Sequence, residues 1–208
     1  MCGNVPCICE KPQREKIVVK LSNNTVRTIQ SMEKTTFFDA SGRVISSDEF
    51  VNNLYGGITQ LFKNEDELRE TWSLPSTRKE LLKKLEEIGY NKQQLEEVTE
   101  LVNGQNSDLY DVLSYIAFNK DILDRQTRAE NVESNLAEYN ANQQEFIKFV
   151  LSQYIKQGVE ELDDNNISEL VNLKYHAIAD AKAKLGDLTN IRNTFTGFQK
   201  YLYQSLYS

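Results

Sequence analysis

The spacing of apolar residues changes near Ser46, and this change constrains the fold more than any other feature of the chain. Residues 16–46 hold short runs rich in Val, Ile and Thr between turn residues, a pattern typical of β-strands. From residue 47 onward, apolar residues recur three and four positions apart, as on one face of an α-helix. We therefore predict a small N-terminal β element over residues 16–46 and a mainly α, multi-helix bundle over residues 47–208.

Two hairpins are predicted in the β element. Residues 16–21 and 25–30 have strand character and flank a Ser-Asn-Asn turn signal at residues 22–24. A second, shorter hairpin is predicted across residues 35–45, with its turn at Ser41-Gly42. Hairpins of this size are unstable alone, so we expect both to pack on the helices.

Helix starts are marked by polar capping residues. Ser46, Asn64 and Asn91 are each followed three residues later by Glu or Gln, the pattern in which side chain and backbone bond reciprocally. Pro75 favours the first turn of another helix, and Gly89 favours its end. Further helices are predicted over residues 107–119, 166–175 and 178–185, and from Asp187 into the tail.

The longest helical pattern extends over residues 129–157, which contain neither Gly nor Pro. At 1.5 Å per residue, it predicts one helix of roughly 40 Å. We expect this long central helix to form the spine of the bundle. Asn166 and Glu169 also have the capping-box spacing, which predicts that a later helix begins at residue 166.

Charge is distributed unevenly along the chain. Residues 1–63 carry eight Lys and Arg against six Asp and Glu, whereas residues 64–208 carry 16 against 25. Since DNA binding depends on cations that displace counterions from phosphate, the acidic helical body favours a protein neighbour over nucleic acid. No apolar run approaches the roughly 20 residues that cross a bilayer, and no signal peptide is visible. We expect a cytoplasmic protein without a membrane partner.

The motifs of common enzymes are missing from the sequence. There is no phosphate-binding P-loop, and the single histidine, His176, excludes a His-based triad or a multi-His metal site within one chain. Asp180 and Lys182 lie two apart in a helical pattern, so their side chains diverge. We therefore predict no catalytic residues, no cofactor-binding residues and no enzyme activity in this chain.

Three cysteines lie in the first nine residues, at Cys2, Cys7 and Cys9. They are candidate zinc ligands, but a tetrahedral site needs four, so residues 1–15 would hold only a truncated zinc knuckle. The alternative to a zinc site is a terminal tail with free thiols.

The alternative to a protein partner is duplex DNA, which the basic residues of the β element would contact. These residues are Lys16, Lys20, Arg27, Lys34 and Arg43.

Six phrases along the chain carry a family resemblance. They are Ile17-Val18-Val19-Lys20-Leu21, Thr35-Thr36-Phe37-Phe38, Leu68-Arg69-Glu70-Thr71-Trp72, Asp108-Leu109-Tyr110-Asp111-Val112-Leu113, Gly158-Val159-Glu160-Glu161-Leu162 and Gly197-Phe198-Gln199-Lys200-Tyr201-Leu202-Tyr203. In this order they resemble the C-terminal region of the R (restriction and motor) subunit of type I restriction endonucleases, of the EcoEI type.

The resemblance implies a role in assembly. In that family the R subunit combines a nuclease, two motor lobes that use ATP and Mg²⁺, and a helical C-terminal region that docks it onto the modification and specificity subunits. DNA is then contacted through the whole complex, which is an ATP-dependent endonuclease of bacterial defence. This sequence matches only the helical region, at residues 47–206, and the connection before it, at residues 16–45. No nuclease or ATPase residue can be carried over to any position here.

Overall fold

The computed structural model describes residues 14–31, 36–39 and 41–204 of the 208-residue chain. In these ranges four short strands precede ten α-helices, which confirms the mainly α class with an N-terminal hairpin. The strands are β1 (Lys16–Lys20), β2 (Val26–Gln30), β3 (Phe37–Phe38) and β4 (Val44–Ile45). The helices are α1 (Ser47–Leu61), α2 (Glu65–Ser73), α3 (Pro75–Glu87), α4 (Lys92–Leu101), α5 (Leu109–Phe118), α6 (Arg125–Ser134), α7 (Ala141–Gln157), α8 (Ile167–Tyr175), α9 (Ile178–Leu185) and α10 (Leu188–Gly197). Short 3₁₀ turns follow several helices, at Leu136–Glu138, Val159–Leu162, Asp164–Asn166 and Phe198–Tyr201.

The strands form two separate antiparallel pairs. β1 pairs with β2 so that Lys16 lies opposite Gln30, and β3 pairs with β4 so that Phe37 lies opposite Ile45. Alternate side chains of each pair are buried against the helices, as period-two alternation requires. Phe37 stacks on Phe50 of α1 with ring centroids 4.4 Å apart. The small hairpins are therefore held by the helical core, as their size demands.

The predicted capping residues begin their helices. The side chain of Ser46 accepts a hydrogen bond from the backbone N–H of Glu49 at 3.3 Å, and Asn64 accepts one from Glu67 at 3.0 Å. Asn91 forms the full reciprocal box with Gln94 at the start of α4. These bonds satisfy backbone donors that the first turn of a helix leaves without partners.

The single long helix predicted over residues 129–157 is interrupted, and this prediction is wrong. α6 ends at Ser134, a 3₁₀ turn covers Leu136–Glu138, and α7 begins at Ala141. The cause is Asn140, which forms a reciprocal capping box with Gln143 while the preceding residue is extended. The spine of the bundle is thus α7, whose 17 residues span about 25 Å.

The capping box predicted at Asn166 is also absent. Asn166 has helical backbone angles, and its side chain makes no capping bond to α8. Its Nδ2 instead donates to the carbonyl oxygen of Glu160 at 2.8 Å. The acidic stretch around it therefore forms two 3₁₀ turns before α8, rather than a capped helix entrance.

One hydrophobic core connects the β element with the helices. Its largest fully buried side chains include Trp72, Tyr154, Phe146 and Phe195. Phe195 and Phe198, near the C-terminal end of the described residues, also belong to this core and have no exposed surface. Within the described ranges, no helix is both long and apolar enough to span a bilayer.

Candidate functional site

The predicted zinc ligands Cys2, Cys7 and Cys9 lie outside the described residues, so a zinc knuckle in residues 1–15 stays a prediction. In the described part of the chain, no group of three or more His, Cys, Asp and Glu is arranged to hold a metal ion. The carboxylate of Asp163 contacts Arg78 at 3.2 Å and Lys79 at 3.3 Å. These contacts make Asp163 a structural ion-pair partner.

The basic residues in the described part of the β element differ in exposure and in pairing. Lys16 and Lys20 lie on the exposed face of β1. Arg43 is exposed, but its guanidinium pairs with Asp39 at 3.0 Å and with Glu49 at 2.7 Å. Lys34 lies outside the described residues.

Arg27 faces the core, away from the exposed lysines. Only 4% of its surface is exposed. Its Nε donates to the carbonyl oxygens of Tyr115 at 2.7 Å and Ile116 at 3.0 Å, in the last turn of α5. Because the carbonyls of a last turn carry partial negative charge, these bonds to a cation anchor β2 to α5. Arg27 is not available to a phosphate.

The most highly organised polar arrangement in the described structure is buried among the helices. Asp111 of α5 and Arg128 of α6 are 0% and 4% exposed. Arg128 donates from Nε to Asp111 Oδ2 at 2.9 Å and from Nη2 to Asp111 Oδ1. Its Nη1 donates to the carbonyl oxygen of Leu202 at 2.7 Å. Burial disfavours the charged guanidinium, but the carboxylate of Asp111 outweighs this effect, and the pKa of Arg128 is raised.

Aromatic rings enclose the same guanidinium. The Cζ of Arg128 lies 5.0 Å from the ring centroid of Tyr110 and 4.9 Å from that of Tyr203. Both distances are within the range of a cation–π contact, which strengthens when water is excluded. The buried guanidinium of Arg128 is therefore stabilised both by its hydrogen bonds and by the two aromatic rings that face it.

A second carboxylate, Asp108, completes this buried polar cluster. Its Oδ2 accepts hydrogen bonds from the hydroxyls of Tyr154 at 2.6 Å and Tyr203 at 2.7 Å. Its Oδ1 has no hydrogen-bond partner among the described residues and lies 4.0 Å from Nη1 of Arg125. Burial, together with the neighbouring carboxylate, raises the pKa of both tyrosines well above the usual value near 10. The buried polar cluster is defined here as Asp108, Asp111, Arg128, Tyr154 and Tyr203.

The C-terminal segment enters this cluster from the far end of the chain. Gln199 donates to the carbonyl oxygen of Leu162 at 3.0 Å, and Asn131 donates to that of Tyr201 at 2.9 Å. Together with the bonds from Arg128 to Leu202 and from Tyr203 to Asp108, these contacts join residues 198–203 to α6, to the residue before α5 and to the 3₁₀ turn Val159–Leu162. The segment thus acts as an internal tie for the bundle.

Four of the phrases that carry the family resemblance meet at this tie. Trp72 packs 6.3 Å from Tyr110, ring centroid to ring centroid, and Tyr110 packs 4.9 Å from Tyr203. Leu162, at the end of another phrase, receives the bond from Gln199. These four sequence segments therefore contribute side chains to the interior of the helical domain. Nothing in this arrangement presents a nucleophile or base to solvent, since the cluster residues are at most 4% exposed.

Sequence reasoning missed Arg128, the residue that holds the cluster together. A signal was present, because Arg128 lies four residues before Val132 and next to Ala129, and these three form the buried face of α6. A charged residue at such a position is a candidate for a buried pair. The identity of its partner, Asp111, depends on tertiary structure.

Two surface clefts contrast in their electrostatics. The α3–α4 groove, of about 500 Å³, has an apolar floor that includes Trp72, Leu82 and Leu95. Charges on its rim pair within the chain, as in the contact between Lys92 and Glu160 at 3.6 Å.

The second cleft lies between α8, α9 and α10 and has a volume of about 430 Å³. We name it the α8–α10 cleft. Its lining residues are Asp164, Ile167, Ser168, Val171, Ile178, Leu188, Thr189, Ile191 and Arg192. Ile178 and Leu188 are 46% and 60% exposed, and within the described residues neither Asp164 nor Arg192 makes an ion pair within 4 Å.

These features define a helical domain with a buried, hydrogen-bonded polar cluster and an open cleft lined by aliphatic and polar side chains. Comparison with protein families agrees with the resemblance, since the model described as EcoEI R protein C-terminal matches residues 48–203. The chain belongs to this family, which is the C-terminal part of the R subunit of type I restriction enzymes. The match begins at the first helix, so the β element lies outside it. No curated protein and no solved structure matches the chain.

Proposed function

We propose that this chain is an assembly domain, which holds an R subunit onto the modification and specificity subunits of a type I restriction complex. The observation that carries the proposal is the family match over residues 48–203. It covers α2 to α10 in full and nearly all of α1. A motor that pulls on DNA exerts force on its anchor, and an anchor needs elements that do not slide past one another.

The buried polar cluster supports this role. It joins the N-terminal end of α5, the helices α6 and α7 and the C-terminal segment through charge-assisted hydrogen bonds, which are about twice as strong as neutral ones. Removing one partner of such a pair costs about 3–5 kcal/mol. Relative movement of these elements would break the same contacts, so the cluster gives the domain the stiffness of an anchor.

The charge of the helical body also favours a protein partner. Residues 64–208 carry 16 Lys and Arg against 25 Asp and Glu, which opposes the phosphate backbone. We expect the interface to bury at least about 1,200 Å², the lower bound of stable protein complexes.

The test is direct binding to the modification–specificity core of the same system, purified without its R subunit. We expect the chain to co-elute with that core as a stoichiometric complex in size-exclusion chromatography. Elution of the two components as separate peaks at micromolar concentration would refute the assembly role. An unrelated acidic helical protein of similar mass serves as the control.

The alternative is a DNA-binding module on the basic β element. With Arg27 bonded to α5 and Arg43 paired with two acids, the exposed cations offered by the described hairpins are Lys16 and Lys20. Non-specific DNA binding has a dissociation constant of roughly 10⁻⁴–10⁻⁶ M. Tighter binding of a duplex by this chain would support the alternative if a Lys16→Glu/Lys20→Glu variant loses that binding. Fluorescence anisotropy of a labelled duplex measures it.

A further inference from the structure

We propose that the α8–α10 cleft is the surface through which this domain docks, and that it receives aliphatic side chains of the modification–specificity core. The inference rests on the proposed assembly function and deepens it by naming the surface and the chemistry of the partner. Its evidence is the arrangement of apolar side chains and unpaired charges around one concave site.

Exposed aliphatic residues converge at this cleft. Single exposed apolar side chains are normal on protein surfaces, whereas apolar side chains that line one concave site are a common feature of binding sites. Ile178 at the start of α9 is 46% exposed, and Leu188 at the start of α10 is 60% exposed, and both line the cleft. Its walls also include Val171 and Ile191, which are 3% and 2% exposed. A rim of exposed aliphatic groups around an apolar interior suits the insertion of a partner's side chains.

The charges of the cleft define the partner further. Asp164 and Arg192 line the same cleft with opposite charge, and within the described part of the chain neither has an ion-pair partner. A segment that places a basic residue against Asp164 and an acidic residue against Arg192 would complement both. The partner segment is therefore aliphatic and flanked by one charge of each sign.

The α3–α4 groove lacks this property. In the α3–α4 groove, Lys79 pairs with Asp163 at 3.3 Å and Lys92 pairs with Glu160 at 3.6 Å. A partner there would have to compete with ion pairs that the chain already makes. Open charges beside exposed aliphatic side chains thus favour the α8–α10 cleft.

The chain offers a well-matched pair of variants for the test. Leu188→Asp places a charge in the cleft at the first residue of α10, where a negative charge suits the helix N-terminus. Leu173→Asp is the control, because Leu173 is 57% exposed, close to the 60% of Leu188, but does not line the cleft. The control lies in the last turn of α8, where a negative charge is less favourable, so a folding defect would affect it at least as much.

Binding of wild-type and variant chains to the purified core is measured by biolayer interferometry. We expect Leu188→Asp to weaken binding by at least about tenfold, the loss typical of a central interface residue. Leu173→Asp should stay within about twofold of wild type, as for residues outside an interface. Arg192→Glu, which keeps the apolar surface, should also weaken binding. Added salt should then weaken the binding of this variant less than that of the wild type, because salt screens the new repulsion.

The outcomes separate this inference from the function on which it rests. Wild-type binding that survives unchanged in Leu188→Asp and Arg192→Glu would overturn the cleft assignment and leave the assembly function standing. No binding by the wild type would overturn both. Self-association of the chain that Leu188→Asp abolishes would also overturn the assignment, because the occupant would be a second copy.

Discussion

Tyr203 donates a 2.7 Å hydrogen bond to the buried carboxylate of Asp108, across 95 residues of chain. Asp108 precedes α5, and Tyr203 lies two residues after the last 3₁₀ turn. This bond therefore joins the middle of the helical domain to its C-terminal segment. Since the segment contacts several helices at once, the stability of the whole domain depends on it.

The first prediction concerns this hydroxyl. Tyr203→Phe removes one of the two donors to Asp108 Oδ2 and leaves a buried carboxylate under-bonded. We expect a loss of about 1–3 kcal/mol in the free energy of unfolding, measured by urea denaturation. Tyr201→Phe is the control, because its hydroxyl donates to the exposed Glu138 at 2.5 Å. Equal losses in the two variants would contradict the structural importance of the cluster.

Alkaline pH gives a second test of the cluster. The folded-state pKa values of Tyr154 and Tyr203 are raised above the ordinary value near 10, so the unfolded chain loses these two protons first as pH increases. Stability is complete below about pH 10 and falls as pH rises from there towards the folded-state pKa, by about 1.4 kcal/mol per pH unit for each group. Urea midpoints between pH 8 and 11 measure the slope.

Replacing Tyr154 by Phe should make the free energy of unfolding fall less steeply with pH above about pH 10. The expected reduction is the contribution of one tyrosine, about 1.4 kcal/mol per pH unit. The replacement removes an ionisable hydroxyl that bonds to Asp108 at 2.6 Å. An alkaline slope identical to that of the wild type would contradict the raised pKa of Tyr154.

A third prediction separates the two kinds of basic residue in the β element. Arg27→Met removes two bonds to the last turn of α5, and we expect it to lower the free energy of unfolding by about 1.5–3 kcal/mol. Lys20→Met, on the exposed face of β1, should change it by less than about 0.5 kcal/mol. Denaturant titration compares both variants with the wild type. An Arg27→Met protein as stable as the wild type would show that this arginine does not anchor the hairpin.

The two adjacent glycines of α1 provide a fourth test. A Cβ at Gly56 meets no atom within 4 Å, whereas one at Gly57 would lie 3.1 Å from Cε2 of Tyr90. Gly56→Ala should stabilise the helix by about 0.5–1 kcal/mol because it restricts the unfolded chain. Gly57→Ala should gain less, since the ring of Tyr90 must move. Thermal melts of the two variants report the difference, and a larger gain at Gly57 would contradict the packing described here.

Local signals in the sequence predicted the ends of several helices correctly. Ser46, Asn64 and Asn91 are self-contained signals, because each capping bond joins groups only three residues apart. The same rule applies at Asn140 with Gln143, where apolar periodicity alone indicated an uninterrupted helix. The prediction of one helix over residues 129–157 was wrong because a helix can end without Gly or Pro. Here a polar residue, Asn140, caps the start of the following helix.

The buried polar cluster could not be derived from local pattern. Asp111 and Arg128 are 17 residues apart, and Tyr203 is 95 residues from Asp108. Which charged residue pairs with which depends on how the helices pack, and sequence spacing does not encode that. The same limit applies to Arg27, which the sequence analysis grouped with the candidate DNA contacts and which is buried against the end of α5 in the structure.

The assembly role is tested most directly by hydrogen–deuterium exchange of the chain with and without the purified modification–specificity core. The account predicts slower amide exchange in α8, α9 and α10 when the core is added, with no change in β1 and β2. Protection confined to β1 and β2, or exchange that the core leaves unaltered throughout the chain, would contradict it.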